Sequence, residues 1–293
     1  MKTARHRANP YGNAPAGKPK AESFLRALSE QYRSAATEGP SSTRRIPKVA
    51  RLSPTAFFED FYYANRPVIL RGLMRDWKAL KLWSPQYFSK RFGDLEIEIL
   101  AERDRDPEYD SNFDGHRRRI RMSQFVRMLR ERGTTNDFYV SAKNDLLHSK
   151  GFEPLQQDFR CPRGFFDPKK FRVGANIYFG PKGTVTPLHF DSCNILLGQV
   201  YGRKRVKLIP PFDMGNVYPE RYCFTAVDMD RVNWKKFPLM RRATVLEEVI
   251  EKGEFLFIPM GWYHWVKSLD ISISLSLIHF RAKGGPAIWK FWE

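Results

Sequence analysis

With 293 residues, 42% of them hydrophobic and 14% aromatic, the chain can bury a sizeable core, which excludes a wholly disordered protein. Its 50 Lys and Arg against 32 Asp and Glu leave a formal net charge of +18. That balance suits an acidic partner such as nucleic acid, an acidic peptide or an anionic metabolite, with a solvated basic surface as the alternative.

No apolar run reaches the roughly 18 residues of a membrane span, so no membrane partner is expected. The start MKTARHRANPYGNAPAGKPK lacks the apolar stretch of a secretory signal. Residues 1–46 read as a basic, flexible arm around a short helix, Ala21 to Ala36, where Phe24, Leu25, Leu28 and Tyr32 recur at helical spacing. From residue 47 the pattern turns globular and continues to 293. Ser53 followed by PTAFFEDFYYANRP reads as an N-capped helix with Pro54 first and Phe57, Phe58, Phe61 and Tyr62 inward. VILRGL is a buried strand, WSPQYFSKRFGD a capped helix ending at Gly93, LEIEIL an alternating strand, and MSQFVRMLRERG an amphipathic helix closed by Gly133. These form an α/β preamble over 47–136. Within it, the run from His116 to Arg121 reads as an exposed hairpin rim or a grip for phosphates.

Over 137–281 the character shifts to short strands punctuated by Gly and Pro. DFYVSA, FRVGANIYFG, NILLGQVYG, RKRVKLIPP, TVLEEVIEKGEFLFIP and ISISLSLIHF predict a mainly β fold of the jelly-roll kind. Residues 282–293 form a tail, whose apolar IWKFWE would seal the barrel or support a homodimer contact. Cys161, Cys193 and Cys223 are odd in number with no paired spacing, which points to a reducing compartment and a cytoplasmic location.

The chemistry centres on His189-Phe190-Asp191. Alternate side chains of an extended segment face the same way, so His189 and Asp191 project together. His264, placed after the strand ending FLFIP, is the candidate third ligand. Two imidazoles and one carboxylate on one face of an octahedral ion leave positions open for a chelating co-substrate and O2, as in non-haem Fe(II) oxygenases. Trp262, Tyr263 and Trp265 around His264 either wall this site or pack the core.

RVGANIYFGPKGTVTPLHFDSCNILLGQVYGRKRVKLIPP and VDMDRVNWKKFPLMRRATVLEEVIEKGEFLFIPMGWYHWVKSLDISISLSL together resemble the JmjC/cupin-like 2-oxoglutarate oxygenases. The resemblance is greatest to the small hydroxylase branch that includes the asparaginyl hydroxylase acting on hypoxia-inducible factor, and it runs from about Ile46 to the C-terminus. It implies a double-stranded β-helix (jelly roll), Fe(II) held by His189, Asp191 and His264, and 2-oxoglutarate as co-substrate with O2. By the same resemblance Lys204 pairs with the distal carboxylate of 2-oxoglutarate, and Thr186 and Tyr139 donate hydroxyls to it. Spacing alone also allows Lys204 to be a solvated charge among Arg203, Arg205 and Lys207. The branch often carries Asn after the first two ligands and near the last strand. Here the nearest candidates for such contacts are Asn194, one position early, and Ser276.

The implied activity is hydroxylation of an amino-acid side chain in a protein or peptide, which the basic balance would suit if that substrate were acidic. The alternatives are hydroxylation of a tRNA nucleoside or a small metabolite, and a non-catalytic cupin-like binding module. Demethylation of methyl-lysine would use the same chemistry.

Overall fold

Short strands of the second half of the chain, joined by two from the preamble, form two six-stranded sheets. The structure is a computed structural model, and it describes residues 45–106, 108–110, 112–220 and 223–283. The arm with its helix, apart from Arg45 and Ile46, and the tail beyond Lys283 lie outside the described residues. None of the described helices is long and apolar enough to cross a membrane.

The preamble contributes β1 (Lys48–Ala50), α1 (Pro54–Phe57), β2 (Val68–Arg71), α2 (Ala79–Leu82), α3 (Pro85–Phe92), β3 (Glu96–Leu100), β4 (Arg117–Arg121) and α4 (Met122–Glu131). The core follows as β5 (Ala175–Gly180), β6 (Val185–His189), β7 (Ile195–Tyr201), β8 (Lys204–Ile209), β9 (Pro219–Glu220) and β10 (Phe224–Thr225). It ends with β11 (Leu246–Ile250), β12 (Glu254–Ile258), β13 (Tyr263–Ser268) and β14 (Ser272–Leu277). Sheet one has the order β1-β2-β12-β7-β14-β5 and sheet two β11-β8-β13-β6-β10-β9. Leaving out the short accessory strands, consecutive core strands alternate between β12-β7-β14-β5 and β11-β8-β13-β6, except that β8 and β11 are neighbours in sheet two, and this is the double-stranded β-helix.

Each sheet has an inner face on the barrel and an outer face that something else must cover. On β14 the residues Ser272, Ser274 and Ser276 alternate with Ile273, Leu275 and Leu277, and all six are buried. The apolar set belongs to the large core cluster shared with the preamble. There Phe57 meets Phe257 at 5.0 Å between ring centroids, Trp77 meets Phe255 at 5.4 Å and Phe88 meets Phe179 at 5.1 Å. Sheet two is covered by the chain between β8 and β11, through a second cluster that includes Val217, Met229, Phe237, Met240 and Trp265.

Several expected elements change. The first helix keeps its cap, with Ala56 N–H donating to Ser53 Oγ at 3.1 Å. After Phe57, however, it widens into a π-helical turn over Phe58–Tyr62. DFYVSA is no regular strand; it touches its neighbours through isolated bridges, Leu100 to Tyr139 and Val140 to Phe179. TVLEEVIEKGEFLFIP, read as one segment, is β11 and β12 in opposite sheets. The break falls at Gly253, whose φ of +90° is one that side-chain-bearing residues rarely adopt. His264 does not trail β12; it is the second residue of β13 in the other sheet.

Candidate active site

β6 and β13 are neighbours in sheet two, and their register sets His189 directly opposite His264. The two rings lie 4.1 Å apart between centroids. Phe190 turns outward onto Tyr263, with centroids 5.2 Å apart. Asp191 returns to the side of His189, two residues on. Its Oδ2 lies 3.3 Å from His264 Nε2 and its Oδ1 4.0 Å from His189 Nε2. One donor atom from each of the three residues lies within 4.8 Å of the others.

Main-chain carbonyls orient both imidazoles. His189 Nδ1 stands 2.8 Å from Pro187 O, and His264 Nδ1 3.1 Å from Trp262 O. A carbonyl can only accept, so each Nδ1 carries a proton and each Nε2 is directed at Asp191. Phe224, paired with His189 across β10 and β6, stacks on that ring at 5.5 Å. Burial holds His189 below the ordinary imidazole value, aided by His264 and opposed by Asp191. For Asp191 burial alone would raise the pKa. The close approach of His264 and the attraction of His264, His189 and Lys143 outweigh it, and the carboxyl falls to about 2. An ionised acid and two pinned imidazoles are a donor set that fits Fe(II).

The triad opens into a cavity of about 340 Å³ lined also by Thr186, Tyr139, Tyr178, Lys204 and Ser276. Lys204 is 3% exposed, and its Nζ faces the Tyr178 and Tyr139 rings at 5.5 and 6.0 Å from their centroids. Among the described residues no carboxylate pairs with it, and burial pulls its pKa down to about 7. A buried ammonium with two aromatic rings for company and an open cavity before it is a site for an anion. The Tyr139 hydroxyl is partnered in the cavity by Thr186 and the Tyr178 hydroxyl by Ser276, each of which favours the ionised phenol slightly. Burial, the largest cause in each, raises both phenols, so both keep their O–H.

Seven of the eight expected site residues therefore share one cavity: His189, Asp191, His264, Lys204, Thr186, Tyr139 and Ser276. Asn194 does not line it. Its Oδ1 accepts from Met260 N–H at 2.8 Å, which ties the start of β7 to the turn before His264. The same turn is held from its other side. Trp262 Nε1 donates to Asn65 O at 2.9 Å and Oδ1 at 2.7 Å, and Asn65 Nδ2 donates to Met260 O at 3.3 Å. Trp262, Tyr263 and Trp265 all pack the core rather than wall the cavity.

Sequence reasoning missed Tyr178, Phe224, Lys143 and Asp110, all of which line the cavity. Tyr178 was detectable, because it sits at an inward position of the alternating β5. Lys143 and Asp110 come from irregular segments whose approach no periodicity foretells. Lys143 Nζ donates to Asp110 O at 2.9 Å and lies 3.9 Å from the centroid of the Phe113 ring. Beneath them Arg103 is 1% exposed, with Nη2 2.9 Å from Val185 O and its guanidinium 4.2 Å from the Tyr109 ring centroid.

The cupin-like domain family model matches residues 54–282. Among curated relatives, lysine-specific demethylase JMJ30 of Arabidopsis thaliana is 29% identical over 242 residues, covering 80% of this chain and 54% of the relative. Lysine-specific demethylase 8 of Danio rerio is 30% identical over 245 residues, covering 80% and 58%. tRNA wybutosine-synthesizing protein 5 of Gallus gallus is 26% identical over 247 residues, covering 80% and 76%. The chain spans about half the length of the demethylases it matches.

Proposed function

This chain belongs to the cupin-like, JmjC-type family of Fe(II)/2-oxoglutarate oxygenases, and on that premise we propose that it hydroxylates an amino-acid side chain of a protein or peptide. The reading rests on one observation above all: the His189–Asp191–His264 cluster and the unpaired, buried ammonium of Lys204 share a single cavity.

His189, Asp191 and His264 would hold the iron, and Lys204 with the hydroxyls of Thr186 and Tyr139 would hold the distal carboxylate of 2-oxoglutarate. Bound there, the iron would supply the chemistry that couples oxidative decarboxylation of 2-oxoglutarate by O2 to insertion of an oxygen atom into a C–H bond. The protein's own part is orientation and exclusion of water. Pro187 O and Trp262 O fix the two imidazoles, Tyr139 and Tyr178 keep their protons as donors, and Ile195, Leu197, Ile258 and Val266 make the cavity wall apolar. A cavity of about 340 Å³ would take the five-carbon diacid and leave part of its apolar wall to a substrate.

A second reading, oxidation of a tRNA nucleoside, is favoured by the net charge of +18 and by the relative named for wybutosine synthesis. Demethylation would follow from hydroxylation of an N-methyl group, as the names of other relatives suggest.

Anaerobic Fe(II) and 2-oxoglutarate should give a visible charge-transfer band in the wild type and none in His189→Ala. No band in the iron-loaded wild type would end the oxygenase reading. Capture of partners with an inert 2-oxoglutarate analogue, followed by turnover and mass spectrometry, separates the substrates. A peptide that gains the mass of one oxygen supports hydroxylation, loss of a methyl mass means demethylation, and an oxidised nucleoside means the second reading.

A further inference from the structure

Among the described residues two basic surface segments stand out, and they differ in how far they are neutralised. On β4, Arg117 pairs with Glu98 and Asp114, Arg118 with Glu102 at 2.6 Å, and Arg119 with Glu96 at 3.4 Å. The other segment crosses the outer face of sheet two between β10 and β11. It is moored there by Lys207 Nζ donating to Met229 O at 2.7 Å and by the Lys267–Asp230 ion pair. From this mooring onward Arg231, Lys235, Lys236, Arg241 and Arg242 are all exposed, and none has an ion-pair partner among the described residues.

Apolar groups stand among these cations. Trp234 is 45% exposed, with the Arg241 guanidinium 4.9 Å from its ring centroid. Leu239 is 36% exposed on the turn Pro238–Arg242, which packs against the turn Pro211–Asn216, where Met214 is 52% exposed. Three of the six exposed large hydrophobics among the described residues thus gather in one place. Five cations without ion-pair partners among the described residues surround exposed indole, leucine and methionine side chains, whose apolar surface water solvates poorly.

We propose that this face is a docking site for an acidic peptide segment bearing apolar or aromatic side chains, contributed by a partner protein. Charge complementarity selects the acidic character, since each cation lacks a counter-charge of its own. The apolar groups select a peptide over a polynucleotide. Arg241 already occupies one side of the Trp234 ring, and Phe237, the other aromatic ring of the segment, is buried, so successive bases have no platform to stack on. Leu239 and Met214 offer nothing to a phosphate backbone but match Leu or Phe side chains of an amphipathic acidic strand or helix. The face is separate from the cavity, because Lys204 and His264 lie on the inner side of sheet two while Lys207 and Trp265 point to this outer cover. It does not depend on the proposed reaction.

Fluorescence anisotropy with the full chain tests this, using a fluorescein-labelled peptide of Asp, Glu, Leu and Phe. The comparators are the same peptide with Ser replacing Leu and Phe, and an oligouridylate. The acidic apolar peptide should bind tightest and weaken on the order of tenfold in Trp234→Ala and at least as much in the Lys235→Glu/Lys236→Glu pair. Arg118→Ala should leave binding unchanged, and the thermal midpoints of the variants should match wild type because the substituted side chains are exposed. The proposal is overturned if Trp234→Ala and the charge reversals leave the affinity intact, or if either comparator binds as tightly as the apolar peptide.

Discussion

Lys204 shows what a single side chain contributes here. Its ammonium titrates near 7 in the folded chain against an ordinary value of 10.5. Between those values the unfolded chain holds the extra proton, so stability from this group rises with pH across that window. Below about 7 the full cost of burying the charge applies. An anion beside Lys204 restores the proton, so 2-oxoglutarate affinity should fall as pH rises above about 7 and be insensitive to this group below it. Isothermal titration at several pH values checks the sign. Lys204→Met should make the unliganded protein more stable by about 1–3 kcal/mol in urea denaturation, while abolishing the rise in Tm on adding 2-oxoglutarate. A destabilised Lys204→Met protein would mean that the ammonium has a partner worth keeping. Lys204 was legible in the sequence only through the company of GRKRVKL; spacing could not distinguish it from the flanking Arg205 and Lys207, which point outward. Asn194 went the other way, because a one-position offset carries its carboxamide out of the cavity and onto the Met260 amide.

At the level of elements, the turn Pro259–Trp262 is as much part of the site as the strands. Asn194 holds it from β7, and Asn65 holds it from the loop between α1 and β2, itself in a left-handed conformation with φ of +50°. Trp262 links this clamp to the site, since its indole is bound by Asn65 and its carbonyl receives His264 Nδ1. Asn65→Ala removes the side-chain bonds and should weaken Fe(II) binding by roughly 10-fold, the low end of losses for groups that orient metal ligands. Competition with a chelator gives the constant, and Asn65→Asp, which keeps the acceptor for Trp262 Nε1, should recover part of it. Equal metal affinity in wild type and Asn65→Ala would reduce the clamp to a structural contact. Strands with clean alternation, such as LEIEIL and ISISLSL, were readable because period two is their only means of burying one face. The β11–β12 boundary and the separate identity of β13 were not, because a turn centred on one glycine interrupts the apolar pattern for too few residues. Arg103 was invisible for a different reason: a fully buried guanidinium depends on Val185 O, Asn136 and two tyrosine rings brought together from distant segments.

Taken as a whole, the described part of the chain has no seam between preamble and barrel. Phe57, Trp77, Phe88 and Phe125 share one cluster with Phe179, Phe255, Phe257 and Leu275. The preamble therefore is not an independent unit but the missing outer layer of sheet one. Far-UV and near-UV circular dichroism should report a single coincident unfolding transition. Phe57→Ala, which empties a fully buried site against Phe257, should lower its free energy by about 3–5 kcal/mol. Two separated transitions would show that the barrel stands without its cover. The opposition of His189 and His264 across β6 and β13 carries a last consequence. The two nitrogen ligands occupy one rung of a ladder, so neither can shift along its strand without breaking the hydrogen bonds of the other's neighbours. An ion held there would act as a rivet through both strands, and its binding should stabilise the pairing of β6 with β13.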